Sequence, residues 1–406
     1  MVDSTTFDWR RAKAPRFTPV AFGAGTELPH APPPASLEDW LIRRGRYCTN
    51  IAELLGGFAG QLVNEGVPIE RSALFLRTLH PRILATAYTW RVEDHHVSVV
   101  ERGHGTQRGD AFLDSPIKPI FEGAPGVRRR LADPDCPRDF PILKDFDEEG
   151  ATDYLVLPVP FSDGKRYAIS YTTRRHGGFD DAHLERLVAV TPTLALVVEA
   201  FLVREIAADL VDTYLGHKTG ERVLDGQIER GASETIRAAI WFSDLRGFTA
   251  MSERLRPPVL LDLLNDHFEQ VVIAVEAQGG EVLKFIGDAM LAIFPLSDYG
   301  DTAAACGAAL GAATDALSRT AARNAARTRA FQPPINFGVA LHLGEVSYGN
   351  IGSPDRLDFT VIGPAVNHAE RIESQCRRMD RQLLTSATFA AVVRQPLDSV
   401  GFHALK

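Results

Sequence analysis

AIWFSDLRGFT, residues 239 to 249, and GGEVLKFIGDAMLAIFP, residues 279 to 295, share one build: an apolar, β-prone run that ends in an acidic residue. Ala239 to Phe242 lead to Asp244, and Val282 to Ile286 lead through Gly287 to Asp288, so each carboxylate falls at a strand end. The second run resumes as Met290 to Phe294, which makes Gly287-Asp288 a tight hairpin turn between buried strands. Between the two pieces, Leu260, Leu263, Leu264, Phe268, Val271, Val272 and Val275 keep helical spacing from Pro258 to Gln278, and Gly279-Gly280 is the stop. A strand, helix, strand crossover then sets the strand carrying Asp244 beside the one leading to Asp288. Two carboxylates ~4 Å apart repel by roughly 4 kcal/mol at an effective dielectric of about 20, and hard divalent cations are the usual remedy. A pair of aspartates holding two metals about 3.5 to 4 Å apart serves phosphoryl transfer. For either aspartate alone, an ordinary turn residue is the plainer reading.

The chain downstream decides between these readings. From about Thr235 to Thr388 it resembles the catalytic domain of the class III nucleotide cyclases. WFSDLRGFT is similar to that family's first metal-binding motif and KFIGDAMLAIF to the second, 288 − 244 = 44 residues later. LHLGEVSYGNIGSPDRLDFTVIGPAVNHAERIE, residues 341 to 373, resembles the remaining catalytic strands and the helix after them. The resemblance implies metal contacts at Asp244, Leu245 and Asp288, with two Mg2+ or Mn2+ ions per site.

Composition bounds the rest. The 406 residues, 45% hydrophobic and 24% charged, have room for two or three domains with proper cores. A net charge of −8 without a polybasic tract gives nucleic-acid binding little support. Cys48, Cys136, Cys306 and Cys376 lack metal or disulfide spacing, and Met1 to Arg16 lacks the apolar core of a signal peptide. Both fit a cytoplasmic protein. The most membrane-like run, Leu187 to Val203, is interrupted by Thr191-Pro192-Thr193 and Glu199 and reads as a buried domain helix instead of a span.

Residues 1–35 end in Ala31-Pro32-Pro33-Pro34 and read as a flexible lead-in. Residues 36–202 give a helix from Ser36 to Leu62 and strands over Ser72 to Leu79 and Arg82 to Val100, with Glu93 to His96 as a hairpin tip. A proline-rich loop follows over Asp114 to Gly150, then a hairpin around Ser162-Asp163-Gly164 and a helix over Asp180 to Phe201. In layout alone this order resembles a GAF-like sensory domain, a ligand-binding or dimerising module that implies an unidentified small ligand. His80, His95 and His96 invite a metal reading, but a surface turn explains the last two more simply. Residues 203–234 form a linker in which Val203, Ile206 and Leu210 follow the 3-4 spacing of a short coiled coil. A helix packed on its own domain is the alternative.

In residues 235–406 an alanine-rich helix spans Asp301 to Arg329. Ile335 to Leu343 and Val346 to Ile351 read as partner strands, Leu357 to Ile362 as another, and a helix starts at Gly363-Pro364 and runs through Met379. The order β, α, β, β, α, β gives an α+β, ferredoxin-like plan with helices on one face of the sheet.

Adenine offers an acceptor at N1 and a donor at N6, the reverse of guanine's pair. The resemblance puts base reading at Lys284, a donor only, and at Thr360, whose hydroxyl accepts; that pair points to ATP. Asn367 and Arg371, four apart on one helix face, fall where the family orients the ribose and stabilises charge on the α-phosphate. Backbone amides at Gly247, Phe248 and Thr249 fall where the β- and γ-phosphates are held. Where many members carry a phosphate-binding Arg, this chain has Gly338. The reading is thus a homodimeric adenylate cyclase with shared sites, making cyclic AMP and pyrophosphate. A guanylate cyclase and a catalytically weak nucleotide-binding module are the alternatives.

Overall fold

The structure is a computed structural model that describes residues 5–7, 34–78, 83–94, 96–103 and 110–405. Most of the lead-in, with His80 and His95, lies outside the described residues. The chain divides into two compact units, Met1–Leu210 and Val211–Lys406.

The first unit contains β1 (Thr5–Phe7), α1 (Leu37–Arg43), α2 (Ile51–Asn64), β2 (Arg71–Arg77), β3 (Ile83–Arg91), β4 (Val97–Gly103), α3 (Asp110–Leu113), α4 (Lys118–Phe121), β5 (Val127–Arg129), α5 (Ile142–Glu148), β6 (Asp153–Pro160) and β7 (Arg166–Thr173). Helix α6 (Asp181–Leu215) begins in it. Its strands form one antiparallel sheet in the order β1-β4-β3-β2-β7-β6-β5. Leu54, Phe58, Leu74, Ile169, Val190 and Leu194 belong to one core, whereas Ile120, Leu143, Phe146, Tyr154 and Val156 fill a second beneath the long loop. The single helix expected over Ser36 to Leu62 is two. Asn50, whose side chain accepts from the Glu53 amide, restarts the chain as α2, because a cap side chain satisfies a helix start at that point.

Helix α6 is long and apolar enough to cross a membrane, and half of its most apolar stretch is buried. Leu187, Val190, Leu194, Val197, Val198, Phe201 and Leu202 are buried in the unit's core. The helix expected over 180–201 is present and continues through Pro192: the carbonyl that Pro192 leaves unbonded belongs to Val188, which is 55% exposed, on a side where water can take the bond. Within 203–234, α6 runs unbroken to Leu215. Ile206 packs against the first unit's core while Val203 is exposed.

The second unit contains α7 (His217–Leu224), β8 (Ser233–Leu245), α8 (Phe248–Arg254), α9 (Pro257–Ala277), β9 (Glu281–Ile286), β10 (Ala289–Pro295), α10 (Thr302–Arg329), β11 (Phe337–Ser353), β12 (Arg356–Ile362), α11 (Pro364–Arg378), β13 (Leu383–Thr385) and α12 (Ala387–Ala390). The sheet order is β12-β11-β8-β10-β9, with β13 parallel to β11 and the other pairings antiparallel. Helices α9 and α10 cover one face over Trp241, Met290, Phe294, Val339 and Leu341. Asp266 of α9 bonds both Arg323 and the buried Arg327 of α10, which ties the two helices together.

Three details depart from the sequence reading. Strand β10, not β9, lies beside β8, because the hairpin folds back into the gap and buries its apolar run on both faces. Helix α11 packs on the opposite face through Ala365 and Ala369, so helices cover both faces. The expected turn between Leu343 and Val346 is absent, and β11 runs straight through. Gly344 is there for close approach: a Cβ would meet the Ala365 Cβ at 2.5 Å, so the missing side chain admits α11, not a bend.

Candidate active site

Asp244 ends β8, and Asp288 follows Gly287 in the turn from β9 to β10. Gly287 has φ +66°, a left-handed backbone that glycine adopts without strain. Met290 pairs with Ser243, which brings the turn to the end of β8. The two carboxyl groups are close enough to influence one another's charge. Burial first, and the neighbouring Asp288 second, push the Asp244 carboxyl up to about 6, while Arg377, whose Nη2 is 3.6 Å from Asp244 Oδ2, works in the other direction.

This donor set fits Mg2+ or Mn2+. Both are hard ions that take oxygen ligands, and Mg2+ is usually bound by one or two carboxylates together with substrate phosphates. Among the described residues no group of three or more His, Cys, Asp or Glu side chains is arranged to hold a metal by itself. The Leu245 side chain is buried in the core under α9 and α10, which leaves only its backbone oxygen as a donor.

Gly247 is the N-cap of α8, and the first-turn amides have no side-chain cap. Among the described residues no backbone acceptor meets the amides of Gly247, Phe248 and Thr249. They are open donors at a helix start.

Lys284 lies on β9, two strands from Asp244, and its Nζ is 2.7 Å from Oδ2 of Asp358 on β12. It is not bonded to Thr360. That hydroxyl is buried and makes no protein hydrogen bond among the described residues. Asn367 and Arg371 share an exposed face of α11, and among the described residues neither side chain has a hydrogen-bond or ion-pair partner.

Two acidic residues escaped the sequence reading. Asp358 was visible as an acid two positions before Thr360, hence on the same side of a strand. Glu373 had no local signal: it lies among the buried positions of α11, and its carboxyl is pushed up to about 7 by burial and then by Asp244.

Residues 232–396 match the family model described as the Adenylate and Guanylate cyclase catalytic domain. An adenylate cyclase of Anabaena cylindrica is 38% identical over 157 residues, 39% of this chain and 31% of that protein. Adenylate cyclase 1 of Rhizobium meliloti (strain 1021) is 30% identical over 206 residues, 49% of this chain and 30% of that protein. Among solved structures, the guanylyl cyclase Cya2 aligns at 27% identity over 42% of this chain and 84% of that one, with a TM-score of 0.37. The chain spans about a third of the length of these two curated relatives.

Proposed function

We propose, from the premise that residues 232–396 are a class III nucleotide cyclase catalytic domain, that the chain is an adenylate cyclase converting ATP to 3′,5′-cyclic AMP and pyrophosphate. The observation that carries this reading is the Asp244–Asp288 carboxylate pair, whose mutual repulsion a divalent cation relieves. Asp244, Asp288 and the Leu245 backbone oxygen hold two ions, Mg2+ or Mn2+, which when bound lower the pKa of the ribose 3′-hydroxyl and neutralise pyrophosphate.

The chain's own groups do the rest. The amides of Gly247, Phe248 and Thr249 bind the β- and γ-phosphates. Lys284 donates to adenine N1, and the Thr360 hydroxyl accepts from the N6 amine. Asn367 orients the ribose. Arg371 meets the α-phosphate oxygens with paired donors as charge builds during in-line attack, and a guanidinium keeps its own charge throughout.

In this reading two copies of the chain pair head to tail, with Asp244 and Asp288 from one facing Lys284, Thr360, Asn367 and Arg371 of the other. Residues 36–202 act as a GAF-like sensory or dimerising domain for an unidentified small ligand, and residues 203–234 carry its signal. The antiparallel sheet with a helical layer on one side and a long loop on the other supports that assignment. The free cysteines support a cytoplasmic location.

The test is to incubate the purified chain with ATP or GTP and Mg2+ or Mn2+ and to weigh the product. Cyclic AMP in excess over cyclic GMP is expected. Cyclic GMP in excess would make it a guanylate cyclase, and nucleotide binding without any cyclic product would make it a silent module.

A further inference from the structure

A cavity of about 340 Å³ opens in the first unit among α1, α2, β3 and β4, a volume within the roughly 300–1,000 Å³ of small-molecule sites. It lies on the face of the sheet that Leu155, Leu157 and Ile169 share with α2 and α6, not on the face that Tyr154, Val156 and Ala168 turn to the long loop. Trp40 of α1 and Trp90 of β3 wall it, and Glu53, Gly56 and Gly57 line it from α2. An interior glycine costs helix stability relative to alanine, so each of the two needs a reason. Gly57 has one in the fold, because a Cβ there would meet the Trp40 ring at 2.6 Å. Gly56 does not: a Cβ would lie 3.5 Å from Val97 Cγ2 and 4.0 Å from Trp90 Cδ1, ordinary contacts that admit an alanine. What its missing side chain provides is open space beside the tryptophan.

Acids outnumber bases in the cavity. Glu53 and Asp94 line it beside the single imidazole of His96, and among the described residues no Lys or Arg does. Glu53 takes the Thr49 amide and hydroxyl on Oε2 alone, at 2.6 and 2.7 Å, which leaves Oε1 without a hydrogen-bond partner among the described residues. Arg91, which senses Asp94, gives two hydrogen bonds to Glu149 instead. The Cys48 thiol in the wall is pushed up to about 12 by burial and then by Glu53, so it stays protonated.

We propose that this cavity binds a small organic cation, a quaternary ammonium or a protonated amine, with its charged end against the indole rings of Trp40 and Trp90 and the Glu53 carboxylate as counter-charge. Tryptophan is the best aromatic partner for a cation. The rings select an apolar outer surface, and the acid selects the charge that a dry apolar cavity alone would reject. The site gives the proposed sensory role of the first unit a place and a ligand class, and it rests on that role only for an effect on cyclase output.

The experiment titrates the full chain with choline and with tetramethylammonium, by calorimetry and intrinsic tryptophan fluorescence. The control is dimethylbutanol, the uncharged carbon analogue of choline. Saturable choline binding is expected with a Kd on the order of 0.1–1 mM for so small a ligand, and the neutral analogue is expected to bind about tenfold more weakly, as a partly desolvated cation–π contact allows. Glu53→Gln keeps an acceptor for Thr49 but removes the charge, and is expected to weaken choline about tenfold while leaving the neutral analogue unchanged. Gly56→Ala fills part of the space. It is expected to weaken both ligands severalfold yet raise the thermal midpoint, which separates loss of room from loss of fold. No saturable binding of either ammonium up to about 50 mM, far above the range expected for such ligands, overturns the proposal. Equal affinity for choline and its neutral analogue overturns it too, as does a folded Glu53→Gln variant that binds choline as tightly as wild type. Cyclic AMP output with and without choline tests the parent reading separately: binding with unchanged output keeps the site and removes the sensory role.

Discussion

Gly338 and Glu373 compete for one space: a Cβ on Gly338 would lie 2.5 Å from Glu373 Oε1 and 3.0 Å from the Cys376 Cβ. Gly338 pairs directly with Asp244 across β11 and β8, so the Glu373 carboxylate, not a side chain from residue 338, borders the paired aspartates. Three acids thus crowd a spot where Arg377 and Arg246 are the opposing charges. Gly338→Arg should relieve this. The nearest obstacle is the end of a flexible side chain, and the new guanidinium would pair with Glu373 while adding a cation near the substrate phosphates. KM for ATP is expected to fall roughly three- to tenfold, as one charge-assisted contact allows, with cyclisation rate maintained. An unchanged KM in a folded variant would mean that the loop amides and Arg377 already meet the phosphates.

The same crowding sets a pH dependence. In the fold the Asp244 carboxyl is raised from 3.8 to about 6, so between those values the native chain holds a proton that the unfolded chain has lost. Without metal, stability falls as pH rises through about 4 to 6, and the penalty is complete above that. Glu373, raised to about 7, extends the same trend upward. Asp244→Asn should therefore stabilise the metal-free protein at pH 7.5 by on the order of 1–3 kcal/mol, a shift of several degrees in thermal midpoint, and the gain should vanish near pH 4. Mn2+ should raise the wild-type midpoint more at pH 7.5 than at pH 5.5, because it binds the deprotonated pair. Midpoints recorded in chelator and in Mn2+ across this range decide the matter. An Asn variant less stable than wild type at pH 7.5 would remove the like-charge account.

Local chemistry made the aspartate pair legible in the sequence, and tertiary chemistry hid its neighbours. Gly287-Asp288 between two apolar runs dictates a turn with an acid at its tip, and the structure has one. Gly344 carries the same composition signal, but its cause is a helix packed from 21 residues downstream, Ala365 against Gly344. Pro192 is tolerated inside α6 because the carbonyl it leaves unbonded falls on an exposed side. Glu373 and Asp358 acquire meaning from partners on other strands, Asp244 and Lys284, which no spacing rule reports.

The proposed base-reading role of Lys284 can be tested through its surroundings. Lys284→Glu with Thr360→Cys exchanges donor for acceptor at the base edge and should lower the ATP-to-GTP preference. The structure adds a condition: an acid at position 284 would face the Asp358 carboxylate now 2.7 Å from Lys284 Nζ. The double variant should consequently lose most of its rate, and adding Asp358→Asn should restore part of it with GTP as substrate. Competition assays with both nucleotides present measure the preference directly. If the surviving activity keeps the wild-type preference in both variants, Lys284 and Thr360 do not read the base.

Helix α11 supplies the motive for the last prediction. Glu373 is buried near Asp244, and Arg377 reaches Asp244 at 3.6 Å. Arg371 stands two residues before Glu373, about 200° around the helix, on the exposed side with Asn367. Within one chain, then, Arg371 faces away from the aspartates it is proposed to serve. On the proposed reading Asp288→Ala removes a metal-holding carboxylate and Arg371→Ala a phosphate-binding cation, so a dimer of either variant alone should be inactive. If the two residues act on one site from opposite protomers, a mixed dimer concentrates both lesions in one site and leaves the other whole. Equal amounts pairing at random give half mixed dimers with one working site of two, so activity should return to roughly a quarter of wild type if the sites are independent. Subunit exchange is checked in parallel with two distinguishable tags. A mixture that stays inactive although exchange has occurred would mean that Asp288 and Arg371 serve one site from the same chain, and the shared-site arrangement would have to be given up.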